Sequence, residues 1–364
     1  MTVRQEIRLA DGRELFYFDA EPGIDRSAPD LRTDLPPTET SSELRWNPIF
    51  RDYAVIAGHR QTRMYKPSAD RCPLCPSREG SSTEIPAQDY EVVVFENRFP
   101  SFSLKSANTV ALVDVPPFQS GPGDGRAEVV SFSSVHDDSF SHLSPQRART
   151  VIDAWVDRTE NLGRIDSIDY VFCFENRGEE IGVTLSHPHG QIYGYPFVPP
   201  RFFRAGEAMR RFADRTGECL QCQQLTAELA AGERIVCQSD GWVAYVPFAA
   251  RWPYEVRVVP REHLADLPAL SSPMRDDLAG VYLNVLQRFD RLFDTPVPYI
   301  AGWQQAPVRH DRDVWHLAAE IFTIRRAPGK LKYLAGSESG AAVWINDVTP
   351  ETAAARLRGE LPIE

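Results

Sequence analysis

Apolar and polar positions alternate along this chain in patterns that predict both strands and helices. Residues 53–57 and 90–96 are strand-like, whereas residues 144–162 place apolar side chains at helical spacing behind a proline. The glycines and prolines of residues 119–125 predict a loop. Up to about Pro37 the chain is rich in Pro, Asp and Ser around one short amphipathic piece, and we expect an arm or an irregular lead-in there.

The second half of the chain repeats the order of elements found in the first half. In each half a Cys-x-x-Cys pair precedes two strand-like segments, of which the second ends at a histidine. A helix follows, at residues 144–162 or 272–293, and then a strand with a histidine motif that begins at His187 or His316. Such a pattern indicates an internal duplication, with extra loop in the first copy. Only the first copy keeps a second histidine, His189.

Composition and charge narrow the classes of protein to consider. A chain of 364 residues, 42% hydrophobic and 25% charged, suits a soluble protein of two domains. It has no apolar run long enough to cross a bilayer and no signal-peptide core at its N-terminus, so we predict a cytoplasmic protein with no membrane partner. The net charge of −11, without a Lys/Arg run, argues against a nucleic-acid partner.

The most informative string is His187-Pro-His189-Gly-Gln191. On a strand, alternate side chains share a face, so two imidazoles and an amide would converge on one site. Pro188 stiffens the backbone, and we expect Gly190 to let a bulky ligand approach the main chain. A neutral imidazole is a competent nucleophile toward phosphorus when an acceptor holds its other nitrogen.

Several strings, occurring in order between residues 45 and 358, resemble the galactose-1-phosphate uridylyltransferase family. This is a branch of the histidine-triad superfamily in which glutamine replaces the third histidine. The strings are GHRQTR at residues 58–63, FENRFP at 95–100, FENRG at 174–178, GVTLSHPHGQ at 182–191 and KLKYLAGSE at 330–338.

The resemblance implies an α+β fold, in which a histidine-triad-like unit is duplicated in tandem and antiparallel sheets are flanked by helices. We accordingly predict three regions. Residues 1–44 form an N-terminal arm, and residues 45–205 form the catalytic domain. Residues 206–364 form a second domain with a degenerate active site and the sugar-phosphate segment.

The resemblance also implies roles for individual residues. His189 accepts the nucleotidyl group, and the main-chain carbonyl of His187 orients it. Gln191 hydrogen-bonds the phosphoryl oxygens, and Thr184 stands where the family usually has a phosphate-contacting serine. The residues expected to bind substrate are Arg60, Arg63, Asn97, Asn176, Lys332, Tyr333, Ser337 and Glu338.

Close cysteine pairs in a chain without an export signal indicate metal ligands or redox pairs rather than disulfides. The family binds a structural zinc with a Cys-x-x-Cys pair, a distant histidine and the first histidine of the HPH string, which here implies Cys72, Cys75, His136 and His187. The repeat keeps all four positions, so we predict a second structural zinc at Cys219, Cys222, His263 and His316. The alternative is that these thiols and imidazoles are simply core residues.

Together these implications predict a ping-pong transfer of UMP from UDP-glucose to galactose-1-phosphate, through a uridylyl-histidine at His189. The expected cofactor is zinc, and the expected partners are UDP-glucose, UDP-galactose and hexose-1-phosphates. A homodimer is also implied, in which residues 330–338 reach the active site of the neighbouring subunit. Two alternatives remain: a nucleoside-diphosphate-sugar phosphorylase, such as an ADP-glucose phosphorylase, and an inactive zinc-stabilised protein that binds nucleotide sugars.

Overall fold

The computed structural model describes residues 2–33, 35, 38, 41–62, 67–105 and 113–363. Its strands are β1 (Val3–Arg8), β2 (Glu14–Asp19), β3 (Glu43–Asn47), β4 (Asp52–Ile56), β5 (Val92–Glu96), β6 (Asp114–Val115), β7 (Phe118–Pro122), β8 (Arg126–Ser131), β9 (Tyr170–Arg177), β10 (His189–Tyr195), β11 (Ile235–Gln238), β12 (Trp242–Tyr245), β13 (Tyr254–Pro260), β14 (Tyr299–Gln304), β15 (Ala318–Thr323), β16 (Arg325–Ala327) and β17 (Lys330–Leu331). Its helices are α1 (Pro145–Gly163), α2 (Pro200–Thr216), α3 (Leu220–Ala231), α4 (Ser272–Asp290) and α5 (Pro350–Arg358).

One antiparallel sheet of eleven strands contains both copies of the repeat. Its order is β1-β2-β5-β8-β10-β9-β14-β15-β13-β12-β11. Outward from the central pair β9–β14, the strands β10, β8, β5 and β2 on one side correspond to β15, β13, β12 and β11 on the other. The chain visits both sets in the same order. This symmetry confirms the predicted α+β class and the tandem duplication.

Helices α1 and α4 occupy equivalent places in the two copies, after β8 and after β13. Both begin with a serine N-cap and a proline in the first turn, and the Ser144 hydroxyl accepts a hydrogen bond from the Arg147 N–H. Their buried faces meet over the centre of the sheet, where the rings of Trp155, Tyr282 and Trp303 contact one another. The two halves therefore share one main hydrophobic core.

The N-terminal segment corrects one expectation. Instead of an irregular lead-in, β1 and β2 form a hairpin that extends the large sheet beyond β5. The physical reason is visible in the side chains: Leu15, Phe16, Tyr17 and Phe18 are all buried, and β1 alternates half-buried and exposed positions. The domain limits at residues 44 and 205 stay predictions, and the second one falls inside α2.

Residues 119–125, which were expected to form a loop, also differ from that expectation. Most of it is β7, which pairs with β3 and β6 in a small sheet of order β4-β3-β7-β6. Gly121 and Pro122 occupy the last positions of the strand, so they interrupt little of its pairing.

In the described part of the chain, no helix combines the length and the apolar character that a membrane span requires.

Candidate active site and metal centres

A cavity of about 540 Å³ lies against β10 in the first half of the molecule. Volumes of roughly 300–1,000 Å³ are usual for small-molecule sites. Five of the predicted site residues line it, together with two charged residues that the sequence analysis did not single out, Glu84 and Arg98. The lining residues are Arg60, Pro73, Leu74, Glu84, Phe95, Asn97, Arg98, Phe99, Val129, Thr184, Leu185, His189 and Gln191.

His189 is the first residue of strand β10, and a backbone carbonyl two residues earlier holds its ring in one orientation. Its Nδ1 lies 2.7 Å from the carbonyl oxygen of His187, to which it donates a hydrogen bond. The other nitrogen, Nε2, then carries the free lone pair of a neutral imidazole. Burial lowers the pKa of His189 below its usual value, so the neutral form dominates at pH 7. The cavity wall thus contains an unprotonated, oriented imidazole.

Gln191 is oriented by a chain of hydroxyl groups. The Tyr193 hydroxyl donates to Gln191 Oε1 at 3.0 Å and lies 3.5 Å from Ser101 Oγ, which also accepts a hydrogen bond from Arg60. Because Oε1 is already an acceptor, the amide N–H groups of Gln191 remain for a ligand. The strand alternation of residues 189, 191 and 193 could have indicated Tyr193, whereas Ser101 had no signal in the sequence.

Gly190 faces the opposite side of the sheet, which corrects the expected approach of a ligand to its main chain. A Cβ at this position would lie 2.8 Å from both the Phe132 ring and the Phe174 carbonyl oxygen. Glycine is therefore required for close packing between neighbouring strands. Glu175 pairs with Gly190, so Asn176 stands next to His189 in the same register on β9, although it does not line the cavity.

The first predicted metal group comes together as four side chains. Strand β8 ends before His136 and strand β10 begins after His187, so both histidines lie in loops rather than on the expected strands. Sγ of Cys75 lies 3.4 Å from His136 Nδ1 and 3.6 Å from His187 Nδ1, and Sγ of Cys72 lies 3.8 Å from His187 Nδ1. A tetrahedral zinc with ordinary bond lengths would separate sulfur and nitrogen ligands by about 3.6 Å.

The second predicted group has the same construction. Sγ of Cys222 lies 3.5 Å from His263 Nδ1 and 3.3 Å from His316 Nδ1, and Cys219 completes a set of ligand atoms within 4.8 Å of one another. His263 and His316 also lie in loops, after β13 and before β15.

In both clusters, the buried histidine uses its second ring nitrogen, Nε2, in the same way. His187 Nε2 donates to the Ser133 carbonyl at 2.7 Å, and His316 Nε2 donates to the Pro260 carbonyl at 2.9 Å. Such outer contacts fix the orientation of metal-binding histidines. Each carbonyl belongs to the residue three positions before the other histidine of its cluster, so the repeat extends beyond the ligands themselves.

Protonation states in both clusters also suit a cation. Burial lowers the pKa of His187 and of His316 to about 4, which keeps both imidazoles neutral. Burial raises the pKa of the Cys72 thiol to about 11 and that of Cys222 to about 12. Thiolates need a positive partner at neutral pH, and a divalent metal supplies it. Both groups can hold a metal ion.

The sugar-phosphate segment lies outside the cavity lining. Lys332 and Glu338 form a buried ion pair at 2.8 Å, and the Lys332 ammonium holds the pKa of Glu338 at about 2. The Ser337 hydroxyl donates to the Val343 carbonyl at 2.8 Å, whereas Tyr333 is 72% exposed. Arg63 lies outside the described residues.

The chain is similar to one family over both halves. Residues 35–199 match the profile described as galactose-1-phosphate uridyl transferase, N-terminal domain, and residues 206–364 match the C-terminal domain of the same family. The galactose-1-phosphate uridylyltransferase of Streptomyces lividans is 44% identical over 96% of each chain. The Thermotoga maritima protein of that name is 36% identical over 87% of this chain and 98% of its own.

A solved structure supports the same relation. A uridylyltransferase of known structure shares 31% identity and superposes with a TM-score of 0.79, over 87% of this chain and 98% of that one. Sequence and structure therefore agree over both halves.

Proposed function

This chain belongs to the galactose-1-phosphate uridylyltransferase family, and from that premise we propose that it transfers UMP from UDP-glucose to galactose-1-phosphate through His189. It is an enzyme of galactose metabolism, as its relatives' names and the fold of a solved uridylyltransferase indicate. The observation that carries the proposed mechanism is the 2.7 Å hydrogen bond from His189 Nδ1 to the His187 carbonyl in the wall of the cavity.

In the first half-reaction, His189 Nε2 attacks the α-phosphorus of UDP-glucose. A P–N bond forms while the bond from this phosphorus to the bridging oxygen breaks, and glucose-1-phosphate leaves with the electron pair. The imidazole becomes positively charged as the bond forms, and the His187 carbonyl stabilises the Nδ1–H of that form. Because the imidazole starts neutral, no base is needed to activate it.

In the second half-reaction, a phosphate oxygen of galactose-1-phosphate attacks the same phosphorus and the P–N bond breaks. UDP-galactose leaves, and His189 returns to its neutral form. The Gln191 amide and the Arg60 guanidinium supply donors for the phosphoryl oxygens, and Thr184 lies in the same wall. Local donors must hold the phosphates, since the whole chain carries a net charge of −11.

We also propose that the metal in both Cys/His clusters is zinc. Two thiolates with two neutral imidazoles form a ligand set typical of structural zinc, and both clusters have sulfur–nitrogen separations close to those of a tetrahedral site. Bound at Cys72, Cys75, His136 and His187, the metal would fix the loop that supplies the His187 carbonyl. At Cys219, Cys222, His263 and His316 it would fasten α3 to the second half of the sheet.

The proposed assembly is a homodimer with shared active sites. Two exposed apolar surfaces support it. One comprises Tyr333, Leu334, Val343 and Ile345 beside the sugar-phosphate segment, and the other comprises Ile49, Phe50, Val115 and Phe118 on the small sheet. Lys332 and Glu338 are paired to each other, so among the four residues of the segment expected to bind substrate it is Tyr333 whose exposed side chain we propose to reach a neighbouring subunit. Sedimentation equilibrium should give twice the chain mass of 41.0 kDa.

Trapping the intermediate tests the mechanism. The protein is incubated with UDP-glucose labelled at the α-phosphate, and the acid-labile label is located by mass spectrometry. We expect a UMP adduct on His189 that galactose-1-phosphate discharges as UDP-galactose. Discharge by inorganic phosphate alone would assign the chain to the phosphorylases. Binding of UDP-glucose without any adduct would indicate an inactive nucleotide-sugar-binding protein.

A further inference from the structure

A buried carboxylate, that of Glu84, stands in the wall of the phosphate-transfer cavity. Its residue is 7% exposed, and its neighbours in the wall include Asn97 and two phenylalanines. A carboxylate repels the phosphates that Arg60, Gln191 and His189 are placed to hold. A ligand group that contacts Glu84 is therefore one that donates hydrogen bonds and carries no negative charge.

The N-terminal segment fixes this carboxylate. Arg13, in the turn between β1 and β2, donates to Glu84 Oε2, and the Arg32 guanidinium lies 2.8 Å from Glu84 Oε1. A third guanidinium, that of Arg98 in the cavity wall, is 3.5 Å from the same Oε1. Two guanidiniums from the N-terminal segment and one from the cavity wall thus fix the orientation of the Glu84 side chain.

The arginines are themselves held by other partners. Arg13 Nε contacts Asp11 at 2.7 Å and its Nη1 donates to the Glu96 carbonyl at 2.8 Å, whereas Arg32 contacts Asp30 at 2.7 Å. An ionised carboxylate offers about four acceptor positions, and the three arginines do not use all of them. Glu84 consequently keeps acceptor capacity toward the cavity.

A nucleotide offers one group that matches, the vicinal hydroxyls of its ribose. An acidic side chain in a pocket wall is a recurrent way to bind ribose hydroxyls. On the premise of the proposed function, we infer that Glu84 accepts hydrogen bonds from the ribose hydroxyls of the UMP moiety, and that Arg13 and Arg32 position it. The segment before residue 35, which precedes the matched family domain, then contributes to the nucleotide pocket.

Binding calorimetry of UMP, 2′-deoxy-UMP and 3′-deoxy-UMP tests the inference without requiring turnover. The unaltered protein should prefer UMP to at least one deoxy analogue by about tenfold or more, as expected for a hydrogen bond to a charged group. In Glu84→Gln the preference should fall below about threefold. The variant should fold, because Arg13 and Arg32 keep Asp11 and Asp30 as partners.

Two further variants separate positioning from a general structural role. Arg32 is not part of the cavity lining, so Arg32→Gln should reduce the preference for UMP while the deoxy analogue that the unaltered protein binds more weakly binds almost as before. The control is Glu91→Gln, which alters a carboxylate that contacts Arg147 at 3.8 Å and is not part of the cavity lining. It should leave the preference unchanged.

The inference is overturned if the unaltered protein does not distinguish UMP from either deoxy analogue. It is also overturned if Glu84→Gln weakens all three ligands by the same factor, which is the signature of a structural role. A UMP adduct on His189 combined with either result would leave the transferase standing without the ribose contact. A ribose preference without an adduct would keep the contact and overturn the transferase.

Discussion

The strands β10 and β15 occupy equivalent places in the two halves, and they differ at the positions of His189 and Gln191. Both β10 and β15 follow a loop histidine that belongs to a Cys/His cluster, and both of those histidines donate Nε2 to a backbone carbonyl. Strand β10 then presents His189 and Gln191, whereas β15 presents Ala318 and Glu320. The Cys/His cluster and the histidine–glutamine pair are therefore separable features of one unit, because the second half keeps the first without the second.

Glu320 of β15, at the position equivalent to Gln191, is paired within the protein. Both carboxylate oxygens accept hydrogen bonds from Arg201 of α2, at 2.5 and 2.7 Å. Burial together with the neighbouring Glu320 raises the pKa of Glu255 to about 7. In the first half the equivalent Gln191 is neutral and keeps its amide for a ligand. An internal ion pair in the second half thus occupies the place where the first half has donors for an anion.

The largest expected effect comes from removing the imidazole that only the first half has. His189→Ala should lower the rate of UMP transfer by at least about 10⁴-fold, since it removes the attacking atom. Metal content and thermal stability should stay close to those of the unaltered protein, because His189 is not a cluster ligand. A coupled assay of UDP-galactose formation measures the first effect, and metal analysis with calorimetry measures the others.

The matched control is His310→Ala, which removes an exposed histidine that contacts Asp311. It should transfer UMP at the unaltered rate. If His189→Ala kept more than a few per cent of that rate, the distinction between the two histidine strands would be lost.

Removing one cysteine from each cluster sharpens the comparison between the two metal sites. Cys72→Ser and Cys222→Ser should each reduce bound zinc from two atoms per chain to one and lower the unfolding free energy by several kcal/mol. Only Cys72→Ser should also lower the transfer rate, by about tenfold or more, because its cluster fixes the His187 carbonyl that orients His189. Cys222→Ser should stay within about threefold of the unaltered rate at 25 °C.

Cys173→Ser is a suitable control, since this buried thiol of β9 belongs to neither cluster. It should retain both zinc atoms. A finding of one zinc or fewer in the unaltered protein would contradict the second site, and equal loss of activity in the two cluster variants would contradict its purely structural role.

Much of the architecture could be predicted from the sequence, because the same order of elements occurs in both halves of the chain. The helices predicted at residues 144–162 and 272–293 agree with α1 and α4 to within a few residues, and the equivalent spacings in the two halves predicted the duplication. All four side chains of each predicted metal group come together, as the family resemblance implied for the first group and the internal repeat implied for the second. When a chain contains two copies of one structural unit, equivalent residues of the two copies make equivalent contacts, so a motif found in one copy predicts contacts in the other.

The wall of the cavity depended on contacts that no local pattern encodes. Ser101 and Glu84 reach the site through contacts between segments that are distant in the sequence. Of the arginines that contact Glu84, Arg13 lies in the turn of the β1–β2 hairpin, where an irregular lead-in was expected, and Arg32 lies in the segment that follows this hairpin. Because the surrounding sequence is rich in proline and aspartate, the strands β1 and β2 were not predicted. Gly190 was misread for a similar reason, since only the packed sheet shows that its missing side chain makes room for Phe132.

The last prediction concerns stability and the two strands that pair at the centre of the large sheet, β9 and β14, where the two halves also differ. Glu175 of β9 pairs with Gly190, and the equivalent residue of β14 is Trp303, which pairs with Ala319. Burial raises the pKa of Glu175 to about 8, although the Tyr299 hydroxyl donates to its Oε1 at 2.8 Å. An uncharged residue at this place, as in the second half, should remove the cost of keeping that proton.

Glu175→Gln keeps an acceptor for Tyr299 and cannot titrate. Below about pH 4.5 the carboxyl is protonated in both the folded and the unfolded chain, so it imposes no pH-dependent cost. Between that pH and about 8 only the folded chain keeps the proton, and the unaltered protein loses up to about 1.4 kcal/mol of stability per pH unit from this group. The unfolding free energy of Glu175→Gln, measured in urea at pH 5, 6, 7 and 8, should therefore rise relative to that of the unaltered protein and level off above pH 8. Parallel curves for the two proteins would mean that Glu175 is ionised in the folded core as it is in the unfolded chain, which would contradict the prediction.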